Sequence, residues 1–311
     1  MKKLLVLFLS AALVLSLAAV SLAAVTVNGD FRYNMYQDES ASDESYAETD
    51  LRVRVTGDLS DTVKATANFK WKRGTSVTYN DYYDSTTTTY KNASNVNTDL
   101  DEFYATWKPE WGTAKMGYYE YKFTPSRVEL KSGGYHVWNK ADALFEVNIP
   151  VAEGFTVDAI CQPYKNDKAD DGAYGLAVNY AAENWGAKVS YADFKNDAYG
   201  DLTAIDAYYM IDENKKVFVD AVDYSENNGT GKYDDGFDPV IGFAWSNIAD
   251  TKLYASLEYA ITPRYKDQAA EYDEYILKAA YKLANNIGLE FYHYVVGDSK
   301  TKEMFRIRYQ F

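Results

Sequence analysis

A disulfide framework is excluded at once, because the 311-residue chain holds a single cysteine, Cys161. Histidine is nearly as scarce. Only His136 and His293 are present, and neither stands at a recognisable motif spacing from a serine or the cysteine. The usual acid–base group of hydrolytic triads is therefore missing, and no catalytic residue is assigned. There is no His/Cys cluster for a transition metal. Asp234, Asp235 and Asp238 lack the spacing of a calcium loop and read as a solvated loop tip, so neither metal nor cofactor is expected. Proline is rare, six in all, which suits paired strands. Beyond residue 23 no run of about 18 apolar residues occurs, which excludes a membrane-spanning helix. Positive charge is in deficit: 32 Lys and Arg against 46 Asp and Glu leave a net charge of −14, an argument against a nucleic-acid partner.

What is abundant is aromatic: 30 Tyr, 14 Phe and 6 Trp. The first residues form an address. Lys2 and Lys3 are followed by an apolar stretch from Leu4 to Val20 and by Ser21-Leu22-Ala23, the pattern of a secretory signal peptide cut after Ala23. Residues 1–23 are read as that peptide and 24–311 as one domain; its loss takes Lys2 and Lys3 and lowers the net charge from −14 to −16.

The domain alternates. Sixteen segments with apolar residues at every second position run approximately over 25–36, 47–59, 63–74, 99–108, 112–122, 141–149, 154–163, 172–181, 184–194, 202–210, 215–224, 238–246, 250–262, 271–282, 286–296 and 301–311. Most match the length a tilted strand needs to cross a membrane. In the second, Leu51, Val53, Val55 and Leu59 oppose Asp50, Arg52, Arg54, Thr56 and Asp58; in the third, Val63, Ala65, Ala67, Phe69 and Trp71 oppose Lys64, Thr66, Asn68, Lys70 and Lys72. Links after even-numbered segments are short, such as Ser60-Asp61-Thr62, and those after odd-numbered ones long, the longest from Thr75 to Thr98. With no helices to cover the apolar faces, the expected fold is all-β, a transmembrane antiparallel barrel of sixteen strands. Trp107, Phe155, Trp185, Tyr209, Trp245, Tyr281 and Phe311 then fall on outward positions at the short-turn end, where membrane barrels carry aromatic girdles.

Residues of the other parity face the lumen. Segments sixteen, one, two and three become neighbours on closure and place Arg306, Arg308, Arg32, Arg52, Arg54, Lys64, Lys70 and Lys72 on one wall. Later segments place Glu146, Asp158, Asp206, Asp220, Glu258, Glu274 and Glu290 on the other. Opposed walls of opposite charge would set a transverse field across a wet lumen.

The C-terminal run Phe305-Arg306-Ile307-Arg308-Tyr309-Gln310-Phe311 resembles the terminal signature of bacterial outer-membrane barrels, whose last aromatic residue the barrel-assembly machinery reads. That makes Phe311 the expected assembly signal. With the basic cluster on the early segments and the long link after segment five, the chain resembles the sixteen-stranded general diffusion porins. The resemblance implies a homotrimer in the lipid of the bacterial outer membrane, forming a passive water-filled channel for ions and small hydrophilic solutes. It also implies that the link following Gly112–Tyr118, residues 122–142 with a bend at Gly133-Gly134, folds inward and narrows the pore. In that family the inward loop is typically acidic, whereas here Lys122, Arg127, Lys131 and Lys140 stand against Glu129 and Asp142.

Arg52, Arg54 and Lys70, with Arg127 and Lys131, are accordingly the expected constriction. Acidic outer loops, with Asp38, Glu39, Asp43 and Glu44 in the first and Glu226, Asp234, Asp235 and Asp238 in the sixth, pull the other way, and ion selectivity stays open. Inward tyrosines such as Tyr104, Tyr119, Tyr121, Tyr208, Tyr292 and Tyr294 keep a solute-specific channel for a sugar or an anion as one alternative. A structural or adhesive barrel is another, disfavoured because segment one begins too close to the cleavage point for a plug to precede it.

Overall fold

Each of the sixteen alternating segments becomes one strand. The computed structural model describes residues 24–38, 44–74, 77–79, 88–90, 97–126, 137–138, 144–162, 173–193, 201–224, 236–262, 272–296 and 300–311. The strands are β1 (Val25–Asp38), β2 (Glu44–Asp58), β3 (Val63–Gly74), β4 (Asn97–Trp107), β5 (Thr113–Tyr118), β6 (Leu144–Ala152), β7 (Phe155–Gln162) and β8 (Ala173–Ala181). They continue with β9 (Trp185–Asp193), β10 (Asp201–Asp212), β11 (Lys215–Tyr224), β12 (Gly236–Trp245), β13 (Leu253–Thr262), β14 (Tyr272–Ala284), β15 (Ile287–Val296) and β16 (Lys300–Gln310). Each pairs antiparallel with its neighbours in sequence, and β16 returns to β1 to close the barrel. Closure leaves no open edge, the condition for a sheet surrounded by lipid. Two small hairpins, Val77–Tyr79 with Thr88–Tyr90 and Tyr121–Lys122 with Val137–Trp138, lie outside the barrel ladder.

Polarity is inverted relative to a water-soluble sheet. Along β13, Glu258 is fully buried while its neighbours Leu257 and Tyr259 are 46% and 41% exposed. The same exchange occurs on β7, where Asp158 is buried and Ala159 exposed, and on β10, where Asp206 is buried between the exposed Ile205 and the half-buried Ala207. Period-two alternation thus puts the carboxylates inside and the aliphatic side chains outside. At the short-turn end the outer face carries the expected rings: Trp107, Phe155, Trp185, Tyr209, Tyr281 and Phe311 are exposed, with Trp245 half-buried. Tyr180 joins Phe155 to Trp185, with ring centroids 4.5 and 4.7 Å apart, so part of the girdle is continuous. Membrane barrels share this architecture.

The seam explains the chain's last residue. Gly29 N donates to Phe311 O at 2.8 Å and Phe311 N to Gly29 O at 3.0 Å, extending the ladder between β1 and β16 by one residue at the rim. The Phe311 ring lies across Gly29, where a Cβ would meet it at 2.2 Å. A glycine inside a strand is costly unless something packs on it, and the terminal ring does so. Deleting Phe311 is expected to lower the yield of closed barrels, and Gly29→Val, which must push the ring away, is expected to do the same more weakly. Barrels that do form should conduct normally, since both groups are on the outer face. The fraction migrating as the compact, heat-modifiable form reports the yield; an undiminished fraction in the deletion would refute the closing role.

Candidate functional site: the lumen and its inward segment

The basic wall forms where the register brings β16, β1, β2 and β3 together. Arg32 stands opposite Arg308, Arg52 opposite Lys70, and Lys72 opposite Asp50. Like charges at this density need counter-charges, and the wall contains them. Asp30 accepts from Arg32 Nε at 2.7 Å and from Arg308 Nη2 at 2.9 Å, while Arg52 pairs with Asp50 at 3.0 Å and Lys72 with Glu48 at 3.2 Å. Arg306 donates to Glu290 at 3.0 Å and to Asn34 at 2.7 Å. Glu290, expected on the opposing wall, therefore belongs to this one, because β15 lies next to β16 and aligns Glu290 with Arg306.

Two cations stand apart. Arg54 donates to the amide oxygen of Asn68 at 2.8 Å, and Asn68 in turn bonds Glu102. Among the described residues no carboxylate lies within ion-pair distance of Lys70 or Arg54. Together with Arg32, Arg52 and Arg308 they face a cavity of about 950 Å³, whose other lining groups include Asp101, Glu102, Glu120 and Lys122.

Opposite them the chain leaves the wall. β5 stops at Tyr118, four residues before the expected end of the fifth segment, and the departure begins at Gly117 (φ 140°). A Cβ there would sit 2.3 Å from Phe103 O, so only glycine permits the turn inward. Alternation nevertheless continues through Tyr119, Tyr121 and Phe123, all buried. These rings pack on Leu144, Ile160, Leu202 and Val222 of the inner wall. The Lys115 ammonium lies 3.6 Å from the centroid of Tyr119 and 4.2 Å from that of Tyr104. Each ring taken from water contributes on the order of 2 kcal/mol.

Polar groups pin the same segment. Tyr121 OH donates to Asp158 at 3.1 Å, and Ser126 donates to Asp206 through its backbone N at 2.9 Å and its hydroxyl at 3.1 Å. Lys188 Nζ donates to Lys122 O at 2.8 Å and Lys216 Nζ reaches Ser126 O at 3.5 Å. Burial, and then Asp158, push the Tyr121 hydroxyl well above its ordinary value, so it remains a donor.

This geometry revises two expectations. Asp158 and Asp206 are inward as expected, yet they do not line open water. The inward segment covers both and uses them as acceptors, since a buried carboxylate needs donors and the segment's free backbone groups need partners. Glu146 is half-buried opposite Lys115 rather than open to the cavity. Lys188 and Lys216 are the anchoring residues the sequence reading missed. The available signal was apolar residues at lumen positions, Leu144, Ile160, Leu202 and Val222, which make no sense in a lumen filled only with water.

Of the remaining candidates, Arg127, Lys131, His136, Asp234 and Asp235 lie outside the described residues, as do residues 1–23. Tyr292 is not free to stack on a solute, since its hydroxyl bonds Glu290 at 2.6 Å and Arg306 approaches its ring. His293 is on the outer face, 3.3 Å from Glu303, away from the lumen. Among the described residues no cluster suits a metal ion.

No family model matches the chain, and no curated protein matches it in sequence. Solved structures do. An engineered variant of the porin of Rhodopseudomonas blastica superposes with a TM-score of 0.66 at 12% identity, covering 93% of this chain and 100% of that one. A second variant gives 0.66 with the same coverage, and a triple mutant of the same porin gives 0.65 at 13% identity. The chain has the porin fold. At this identity the likeness speaks for the architecture, and the barrel here carries its own set of lumen residues.

Proposed function

We propose that this porin-fold barrel is a porin of the bacterial outer membrane, a passive water-filled channel for ions and small hydrophilic solutes, without catalytic activity. The observation that carries the reading is the inverted polarity: a closed barrel with apolar residues outward surrounds a cavity of about 950 Å³ lined by Arg32, Arg52, Arg54, Lys70 and Arg308. In this reading residues 1–23 direct export and are removed, and Phe311 is read by the assembly machinery. The segment 122–142, with Arg127 and Lys131, narrows the lumen opposite Arg52, Arg54 and Lys70. The narrowest passage then favours anions, while the acidic outer loops gather cations at the mouth.

A homotrimer fits the outer face of β2 to β4, where Gly57, Ala65 and Ala105 lie side by side and Ala67 follows. Small residues let two barrel walls approach closely in lipid. Purified protein added to a planar bilayer should give stepwise conductance, and its mass in mild detergent should be three times that of one chain. Folded protein without any conductance would sink the channel reading and favour a structural barrel. A monomeric mass would remove the trimer alone, and saturable block by one sugar would point to a solute-specific channel.

A further inference from the structure

The short-turn rim holds a second cavity, of about 320 Å³, between the turn 246–252 and the turn 285–286. Two lysines meet there. Lys282 N donates to Lys252 O at 3.2 Å, so their side chains leave adjacent strand ends at one level, and both are exposed. Like charges facing each other across a strand pair destabilise it. Lys72 and Arg52 on the inner wall have the carboxylate partners Glu48 and Asp50, whereas the cations that face the larger cavity without one, Arg54 and Lys70, mark the constriction already described. Among the described residues no carboxylate lies within ion-pair distance of Lys252 or Lys282.

The one carboxylate lining this niche, Glu290, is held by Arg306 and Tyr292 and lies 3.8 Å from Arg308. The amides of Asn247, Asn285 and Asn286 add neutral hydrogen-bonding groups, and Tyr254 adds a ring. One side of the niche is held stiffly: Asn247, Ala249 and Asp250 all have positive φ, and Asn247 Nδ2 donates to Asn214 Oδ1 at 2.8 Å. Arg308 and Gln310 line both this niche and the larger lumen cavity, so the two spaces meet at a shared arginine.

We propose that this niche is a second anion site, in series with the constriction, for a small carboxylate- or phosphate-bearing solute carrying hydroxyl groups. The oxyanion takes charge-assisted bonds from Lys252 and Lys282, with Arg308 on the path toward the constriction, and the amides receive its hydroxyls. Its volume is at the lower end for small-molecule sites, which suits a solute of a few carbons. The inference rests on the channel reading, because it needs solutes to pass from one cavity to the other.

Single channels in chloride provide the test, with inorganic phosphate or gluconate added at millimolar concentration to one side and then the other. A site at one rim is reached directly from that side and only through the constriction from the other. The expected result is block that is markedly stronger from one side of every channel. Lys252→Gln with Lys282→Gln should weaken that stronger block by about fivefold, the scale of two exposed charge pairs. One-sided block by both probes, or by one of them, supports the site and tells which oxyanion it takes, and open channels that neither probe blocks overturn it. If open channels show block of equal strength from both sides, or block unaltered in the lysine variant and lost in Arg52→Gln with Arg54→Gln, the site is overturned while the channel stands. Absence of any channel overturns both.

Discussion

Replacing Arg52 and Arg54 by glutamine should move the zero-current potential in a dilute salt gradient toward cation preference, with the permeability ratio changing severalfold. Both guanidiniums border the larger cavity, Arg54 has no carboxylate partner among the described residues, and Arg52 has only Asp50. In bulk water a unit charge acts on an ion about 7 Å away with roughly 0.6 kcal/mol, close to thermal energy. Low-dielectric walls raise that figure and salt lowers it. Two charges therefore change the anion-to-cation ratio several times over, and their removal leaves Arg32, Lys70, Lys122 and Arg308 against Asp30, Asp101, Glu102 and Glu120, with Asp50 no longer paired to Arg52. At molar salt, where the Debye length is about 3 Å, most of the shift should vanish. Reversal potentials of single channels at both salt levels check the effect. An unchanged potential at low salt would make the arginines an ordinary solvated face.

A strand's period of two assigns faces without knowledge of the third dimension, so Arg52, Arg54 and Lys70 on one side and Val53, Val55 and Phe69 on the other were legible. Barrel closure was legible as well, because an even series of strands with polar and apolar faces has no other way to satisfy its edges in lipid. Cross-strand partners were not. Register decides that Glu290 meets Arg306 and that Asp30 sits between Arg32 and Arg308, and a shift of two residues would leave every face unchanged while exchanging every partner.

The fifth strand shows the other limit. Alternation through Tyr119 and Tyr121 reads as strand, and it is extended chain, but Gly117 turns it from the wall into the lumen. Periodicity reports the local backbone, and it cannot tell a side chain packed on the inner wall from one belonging to the wall itself. Asp158 and Asp206 were placed on the correct face for the same reason, and their roles as acceptors for Tyr121 and Ser126 depend on that departure.

The inward segment gives the second large expected effect: Tyr121→Ser with Phe123→Ser should raise single-channel conductance on the order of twofold, by widening the narrowest passage. The open current should also become noisier. Both rings are buried against the inner wall, and removing a buried aromatic side chain costs about 3–5 kcal/mol. Tyr121 also supplies a hydrogen bond to Asp158, whose remaining partners, Asn148, Asn179 and Lys188, all belong to the barrel. What then holds the segment is Tyr119 on Lys115, the two bonds from Ser126 to Asp206 and the bonds of Lys188 and Lys216 to its backbone, against the chain entropy regained on release. The barrel should survive, since its ladder runs from β1 to β16 without the segment. Heat-modifiable mobility of the variant separates loss of the segment from loss of the fold. Larger neutral polymers should enter the variant channel and not the parent. A compact barrel whose conductance and size cut-off matched the parent would show that the passage is narrowed elsewhere, and that the aromatic anchor has no part in setting its width.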